Sequence, residues 1–198
     1  MMLVELAEAP EAALPVAGLK EHLRLGTGFA DDDVQDALLV GFLRAAVAAV
    51  EGRTGKALIR RAFALTVRDW RTPDRQPLPL APVASVTSVT LTDAQGANVA
   101  APAGSWRLEL DSMTPALAAR GSALPQIAWG GAATIAFQAG FGTAWAQVPR
   151  DMGQAALMLA AHYYDNRHDT ALGPGCMPFG VTALLERYRP LRLSGGLA

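Results

Sequence analysis

The sequence AALMLAAHYYDNR occupies residues 155–167, and PFGVTALLERYR occupies residues 178–189. In the first stretch apolar residues recur every three to four positions, and Pro149 stands shortly before it. This spacing is typical of an α-helix with one buried face, and proline is favoured in the first helical turn. A Gly-Pro-Gly sequence at 173–175 then predicts an open loop, followed by a short basic helix over 181–188. The two stretches contain no catalytic signature.

Two further helices are predicted near the N-terminus. Residues 15–25 have apolar side chains at i, i+3 and i+7, and Pro15 suits the first helical position. The acidic run 31–33 supplies a cap and first-turn negative charge for a longer helix. Gly55 is placed to end that longer helix.

The hydrophobic period changes from 3.6 to 2 at about Arg61. Phe63, Leu65 and Val67 alternate with more polar residues, as they do in a half-buried strand. A turn sequence at 93–96 predicts a hairpin. The strand segments predicted after residue 80 are 86–92, 98–101, 106–110, 126–129 and 134–139.

The order of these segments predicts an α+β fold. The N- and C-terminal helices form a helical bundle, and a mostly antiparallel β insertion separates them. The predicted parts are N-terminal bundle helices over 1–60, a β-rich insertion over 61–147, C-terminal bundle helices over 148–189 and a flexible tail over 190–198.

Composition argues against several classes of function. The net charge is −1 with 17 basic and 18 acidic residues, so no global positive charge favours binding to nucleic acid.

The apolar stretch 37–50 contains Arg44 and is too short to span a bilayer. The first residues lack a basic, then apolar, secretion signal. The single cysteine, Cys176, allows no intramolecular disulfide and is compatible with a reducing cytoplasm. The apolar excess of this weakly charged chain favours self-association.

Two segments offer conceivable chemistry. His162, Asp165, His168 and Asp169 are the one cluster that could hold a metal, but no two histidines have the i, i+4 spacing of a helical zinc site. The sequence GRTGKA at 52–57 resembles part of a phosphate loop, yet its spacing is wrong and it ends a helix rather than beginning one. Ordinary helix ends account for both segments.

Several short segments, in their order and spacing, resemble the head–tail connector (adaptor) family of long-tailed phages and gene transfer agents. The resemblance includes the two stretches quoted above and four others: KEHLR at 20–24, VEGRTGKAL at 50–58, LAPVASV at 80–86, and AGFG at 139–142 followed by Val148-Pro149. The alanine-rich sequence is similar to the adaptor of alphaproteobacterial gene transfer agents, although a prophage copy would look alike.

The resemblance implies a structural protein without enzymatic activity and without a cofactor. Family members form a twelve-fold ring under the portal protein, extend the DNA channel and carry the stopper or tail. The implied partners are therefore the portal, the stopper or tail protein and further copies of the same chain. DNA would pass through the lumen without specific binding. Assembly would take place in the bacterial cytoplasm, and the mature protein would lie in the particle neck.

Two sets of residues are predicted to make contacts in such a ring. The end of the chain, from Tyr188 onward, is predicted to bind the portal. Leu191 and Leu193 would point to the same side of a strand, and such a strand could add to the edge of a sheet in the portal. The tail residues proposed for this contact are Tyr188, Arg189, Leu191, Arg192 and Leu193. The residues proposed for contact between subunits are Phe42, Ala46, Ala155, Leu159 and Arg187.

Two other functions remain open at this stage. The chain could be a tail terminator or stopper of the same particle, and those proteins are usually dominated by a β-barrel. It could also be a metal-dependent enzyme that uses His162 and Asp165.

Overall fold

The computed structural model describes residues 1–25, 33–167 and 177–189. The chain divides into two units. The β unit comprises Met1–Pro10 and Ala57–Gln147, and the helical unit comprises Glu11–Lys56 and the residues from Val148 onward. The strands are β1 Met2–Glu5, β2 Arg61–Val67, β3 Arg75–Pro77, β4 Val83–Thr92, β5 Asn98–Ala100, β6 Trp106–Glu109, β7 Ala116–Ala119 and β8 Ala132–Ala139. The helices are α1 Val16–His22, α2 Asp33–Thr54, α3 Arg150–Asp165 and α4 Phe179–Leu185.

The β unit contains two antiparallel sheets. The larger sheet has the order β1-β2-β8-β4-β5, and the smaller has the order β3-β7-β6. The predicted alternation in β2 is confirmed, because Phe63, Leu65 and Val67 are buried. Phe63 stacks on Phe137 of β8 with ring centroids 5.8 Å apart. Burying each such side chain contributes about 2 kcal/mol, so this shared core holds the larger sheet together.

The helical unit is built around α3, which packs against α1, α2 and α4. Met152, Ala155, Ala156, Leu159 and Ala160 on α3 are all buried. Alanines on a buried face let neighbouring helices approach closely. The α+β class is therefore confirmed. The structure shows contacts between the helices, and their arrangement as a helical bundle stays a prediction.

The end of α2 is as the sequence predicted. Gly55 has a φ of 65°, a left-handed conformation that glycine adopts without strain. Its N–H donates to the carbonyl of Glu51 at 2.8 Å, and the Thr54 hydroxyl donates to the carbonyl of Val50 at 2.8 Å. The segment that resembled a phosphate loop therefore ends a helix.

Several elements differ from the sequence prediction. Residues 126–129 form no strand; they lie in a loop that ends in a turn at Trp129, and Ile127 packs on the core. Residues 1–60 were assigned to the helices, but Met2–Glu5 pairs with β2 in the β unit. The sequence also missed β3 and β7. The buried strand β7 reads Ala-Leu-Ala-Ala, and alanine is disfavoured in strands, so only pairing with β3 and β6 on its two sides makes it one.

Candidate assembly surfaces

The root of the C-terminal tail is fixed to the beginning of α3. A 3₁₀ turn over Glu186–Tyr188 follows α4 directly. The Tyr188 hydroxyl donates to the Asp151 carboxylate, with oxygen distances of 2.8 and 3.0 Å. Nε of Arg187 lies 3.3 Å from the same carboxylate, and its guanidinium lies over the Tyr188 ring, 4.7 Å from the centroid. The chain therefore leaves Arg189 from a defined position beside α3.

The environment of Tyr188 raises its pKa above the ordinary value of 10.0. Partial burial is the largest cause, and the hydrogen bond to Asp151 and the negative charge of Asp151 add to it. Because the folded-state pKa is raised, the stabilising contribution of Tyr188 is complete below pH 10. The contribution is lost as the pH rises through the folded-state pKa. The contact is therefore intact at neutral pH.

Tyr188→Phe is expected to loosen this root while leaving the helical unit folded. The change removes the hydroxyl but keeps the ring, and a hydrogen bond to a charged group contributes about 1.5–3 kcal/mol, less where solvent screens it. We expect faster amide hydrogen exchange at residues 186–189 and a decrease of about 1 kcal/mol in the free energy of unfolding. Tyr163→Phe is the matched control. Unchanged exchange at the root in Tyr188→Phe would contradict the structural role given to this contact.

The positive charge of Arg187 and Arg189 is partly neutralised within the chain. Arg187 pairs with Asp151, and Nη1 of Arg189 lies 3.3 Å from the Glu186 carboxylate. The two arginine side chains are 72% and 53% exposed, so these pairs contribute little stability, but they reduce the positive charge available to a partner. The predicted contact residues Leu191, Arg192 and Leu193 lie outside the described residues.

The predicted subunit-contact residues divide into buried and accessible ones. Ala46, Ala155 and Leu159 are buried within the single chain, so they have no surface to offer a neighbour. Phe42 is half-buried and meets Tyr164 edge-on at 6.0 Å, and Arg187 is well exposed. Ala46 on α2 and Ala155 and Leu159 on α3 therefore belong to the core of the helical unit, where α2 and α3 pack against each other.

The exposed face of α2 instead carries uncharged side chains, mostly of alanine and glycine. Its exposed residues are Ala37, Leu38, Gly41, Ala45, Ala48 and Gly52. The sequence did not predict this face, because α2 has apolar residues on nearly all sides. The apolar residues therefore show only a weak helical periodicity, which does not distinguish the buried face from the exposed one.

Other exposed apolar side chains lie in the β unit. Trp129 is 99% exposed at the turn before β8, and Val99 on β5 is 64% exposed. Met2 on β1 is 59% exposed. No sequence signal marked these residues. Val99 and Trp129 lie in predicted strands, where an apolar residue is ordinarily assigned to the core, and Met2 lies in no predicted strand.

Two residues of the possible metal-binding cluster, His162 and Asp165, lie in the last turn of α3. Asn166 Nδ2 lies 3.1 Å from His162 Nδ1 and donates to the His162 carbonyl at 2.9 Å. Asp165 is exposed. Within residues 1–25, 33–167 and 177–189, no group of three potential ligands could hold a metal ion. His168 and Asp169 lie outside those ranges, as does Cys176.

No helix in the described part of the chain is both long and apolar enough to cross a membrane.

Three solved structures contain chains that are similar to this one over nearly their whole length. A chain in the neck of an empty gene transfer agent (GTA) particle, computed with C6 symmetry, is 52% identical with a TM-score of 0.89. A chain in the virion of a native GTA particle is 52% identical with a TM-score of 0.87. A chain in the neck of a native GTA particle, computed with C12 symmetry, is 48% identical with a TM-score of 0.85. Each match covers 99% of this chain and 99% of the other. No protein-family model and no curated protein matches the chain.

The matching chains are components of a phage-like particle, and two of the three structures are of its neck. The class of protein is therefore a structural component of a particle neck. At this identity and coverage, the chain belongs to the head–tail connector (adaptor) family, and it is most like the adaptor of a gene transfer agent. The resemblance drawn from short sequence segments is confirmed.

Proposed function

We propose that the chain is the adaptor itself. In this proposal twelve copies form a ring that binds the portal and carries the stopper or tail, and the C12 symmetry of the neck of one relative supports that number. The observation that carries this proposal is the 52% identity over 99% of the chain to a neck component. The ring extends the DNA channel, and DNA passes through without specific binding. The chain assembles in the bacterial cytoplasm and then lies in the particle neck.

A stopper of the same particle is the alternative within this neck. The described residues include eight strands as well as two long helices, so a circular dichroism spectrum does not separate the two roles. The order of binding does. DNA-filled heads from a strain that lacks this gene are purified and incubated with the purified chain alone. An adaptor binds these heads directly, whereas a stopper binds only after another neck protein is added.

Contacts between subunits of the proposed ring use accessible residues of the helical unit. Phe42 and Arg187 remain in this proposal, and the exposed face of α2 replaces the three buried residues. The occupant is a second copy of the chain. Two observations support a second copy as the partner. The necks that contain the relatives were computed with ring symmetry, and the exposed face of α2 carries no charged side chain that would disfavour an apolar neighbour.

The proposed adaptor has no catalytic activity, and the substitution His162→Ala tests this part. Among the described residues, the His162 side chain is hydrogen-bonded to Asn166 and lies beside the Tyr163 ring, so we expect assembly and gene delivery within about twofold of wild type. A partly exposed polar substitution usually costs less than about 1 kcal/mol. Asp165→Ala serves as the second variant. Normal rings and normal thermal stability combined with lost gene delivery would contradict the structural role and favour the enzyme.

A further inference from the structure

The larger sheet of the β unit has two open edges. In the order β1-β2-β8-β4-β5, the outer strands are β1 and β5, and no other strand of the described residues pairs with their outer sides. Two open edges on one sheet are the kind of distinct, complementary patches that a head-to-tail ring contact requires.

The backbone groups that point outward can be assigned from the hydrogen bonds that point inward. The Leu6 N–H donates to the Ala62 carbonyl at 2.9 Å. Hydrogen-bonding sides alternate along an antiparallel strand, so the N–H and C=O groups of Leu3 and Glu5 face the open side of β1. On β5, the Ala101 N–H donates to the Val89 carbonyl at 2.8 Å.

By the same alternation, the outward groups of β5 belong to Asn98 and Ala100. Within the part of the chain that the structure describes, both edges therefore present backbone donors and acceptors that a further strand could pair with.

Edge β1 is short, with four residues, but it contains no lysine, proline or bulge. Its side chains are exposed and mostly apolar: Met2 is 59% exposed, Val4 is 41% and Leu3 is 38%. The only charge, Glu5, binds Arg61 with nitrogen–oxygen distances of 2.6 and 3.2 Å. Solvated edge strands are ordinarily blocked by lysine, proline or a bulge. An apolar, regular edge without these features is suited to being covered by another strand.

We propose that the outer edge of β1 pairs with the outer edge of β5 in the neighbouring copy of the ring. This inference rests on the proposed ring function and names its β-unit contact. All neighbouring strands in the larger sheet are antiparallel, and the sheet has five strands, so β1 and β5 run in the same direction.

The direction of the strands fixes the type of pairing. Neighbours in a twelve-fold ring are related by a rotation of about 30°, and in a six-fold ring by about 60°. Either rotation turns a strand by at most about 30° or 60°, so the neighbour's strands keep the same sense. The β5–β1 junction is therefore parallel, whereas a two-fold β1–β1 contact would be antiparallel.

Cysteine pairs test the junction in assembled particles, in a Cys176→Ser background. Leu3→Cys is combined with Asn98→Cys or, separately, with Val99→Cys, because adjacent strand residues face opposite sides. Neighbouring strands lie about 5 Å apart, within the range of a disulfide. After mild oxidation and denaturing, non-reducing gel electrophoresis, one of the two double variants should give a ladder of disulfide-linked multimers. The single variants should run as monomers on the same gel.

The outcomes of this experiment are distinct. A dimer formed by Leu3→Cys alone would show β1–β1 pairing and overturn the proposal. Particles that contain the chain in the neck but give no ladder with either double variant would also overturn it. A wild-type chain that is missing from the neck would contradict the ring function itself, so the two failures can be told apart.

A matched pair of proline variants tests the same edge without new cysteines. Leu3→Pro removes an outward N–H, a position at which an edge strand tolerates proline. We expect a folded monomer with Tm within a few degrees of wild type and at least a tenfold loss of closed rings. Val4→Pro removes an N–H that faces β2 and should lower Tm instead. Full ring formation by Leu3→Pro would overturn the proposal.

Discussion

Deleting residues 190–198 is expected to produce DNA-filled heads without tails, while the truncated chain stays soluble and folded. These residues follow directly on the root that Tyr188 and Asp151 fix to α3. Many copies of the tail in one ring bind together, so their combined binding to the portal is much stronger than that of a single tail. Electron microscopy of particles from the deletion strain should show at least a tenfold loss of tailed particles.

The control for this deletion keeps the tail length but changes its pattern. Leu191→Asp combined with Leu193→Asp places two charges on the side of the proposed added strand that Leu191 and Leu193 share, whereas Arg192→Gln changes the opposite side. The first variant should lose tails as the deletion does, and the second should lose far fewer. If the deleted chain binds portal-bearing heads as tightly as the full chain, the anchor lies elsewhere in the protein.

Gly140→Ala is expected to prevent stable folding of the β unit. Gly140 follows β8 with a φ of 135°, which side chains rarely adopt, and a Cβ there would overlap the backbone of Ile59 and Arg60. Backbone atoms cannot move aside as a flexible side chain can. Strain and overpacking together should cost more than about 3 kcal/mol. Thermal and denaturant unfolding of the purified chain measure the loss.

Gly121→Ala is the matched control, because a Cβ at Gly121 meets no atom within 4 Å. We expect its free energy of unfolding to stay within about 0.5 kcal/mol of wild type. Equal stability of Gly140→Ala and Gly121→Ala would contradict this prediction. It would show that the backbone after β8 can shift to make room for a Cβ beside Arg60.

Local patterns in the sequence determined much of the secondary structure. The period of 3.6 in α3, the glycine that ends α2 and the alternation in β2 each depend on residues close together in the chain, so the helices and strong strands could be predicted. The order of these segments also carried the resemblance to the adaptor family, which the solved relatives confirm.

Only the tertiary structure decided which faces are accessible. Phe42 and Ala46 lie on the same apolar helix, yet Ala46 is buried and Phe42 is half-buried, because burial depends on where α3 packs. Likewise, Asp151 reads as an ordinary helix-start acid until its contact with Tyr188 is seen, 37 residues away in the chain. The open edges of β1 and β5 follow from the strand order, which non-local pairing sets. Sequence patterns record the preferences of neighbouring residues, whereas surfaces for assembly arise from contacts between distant ones.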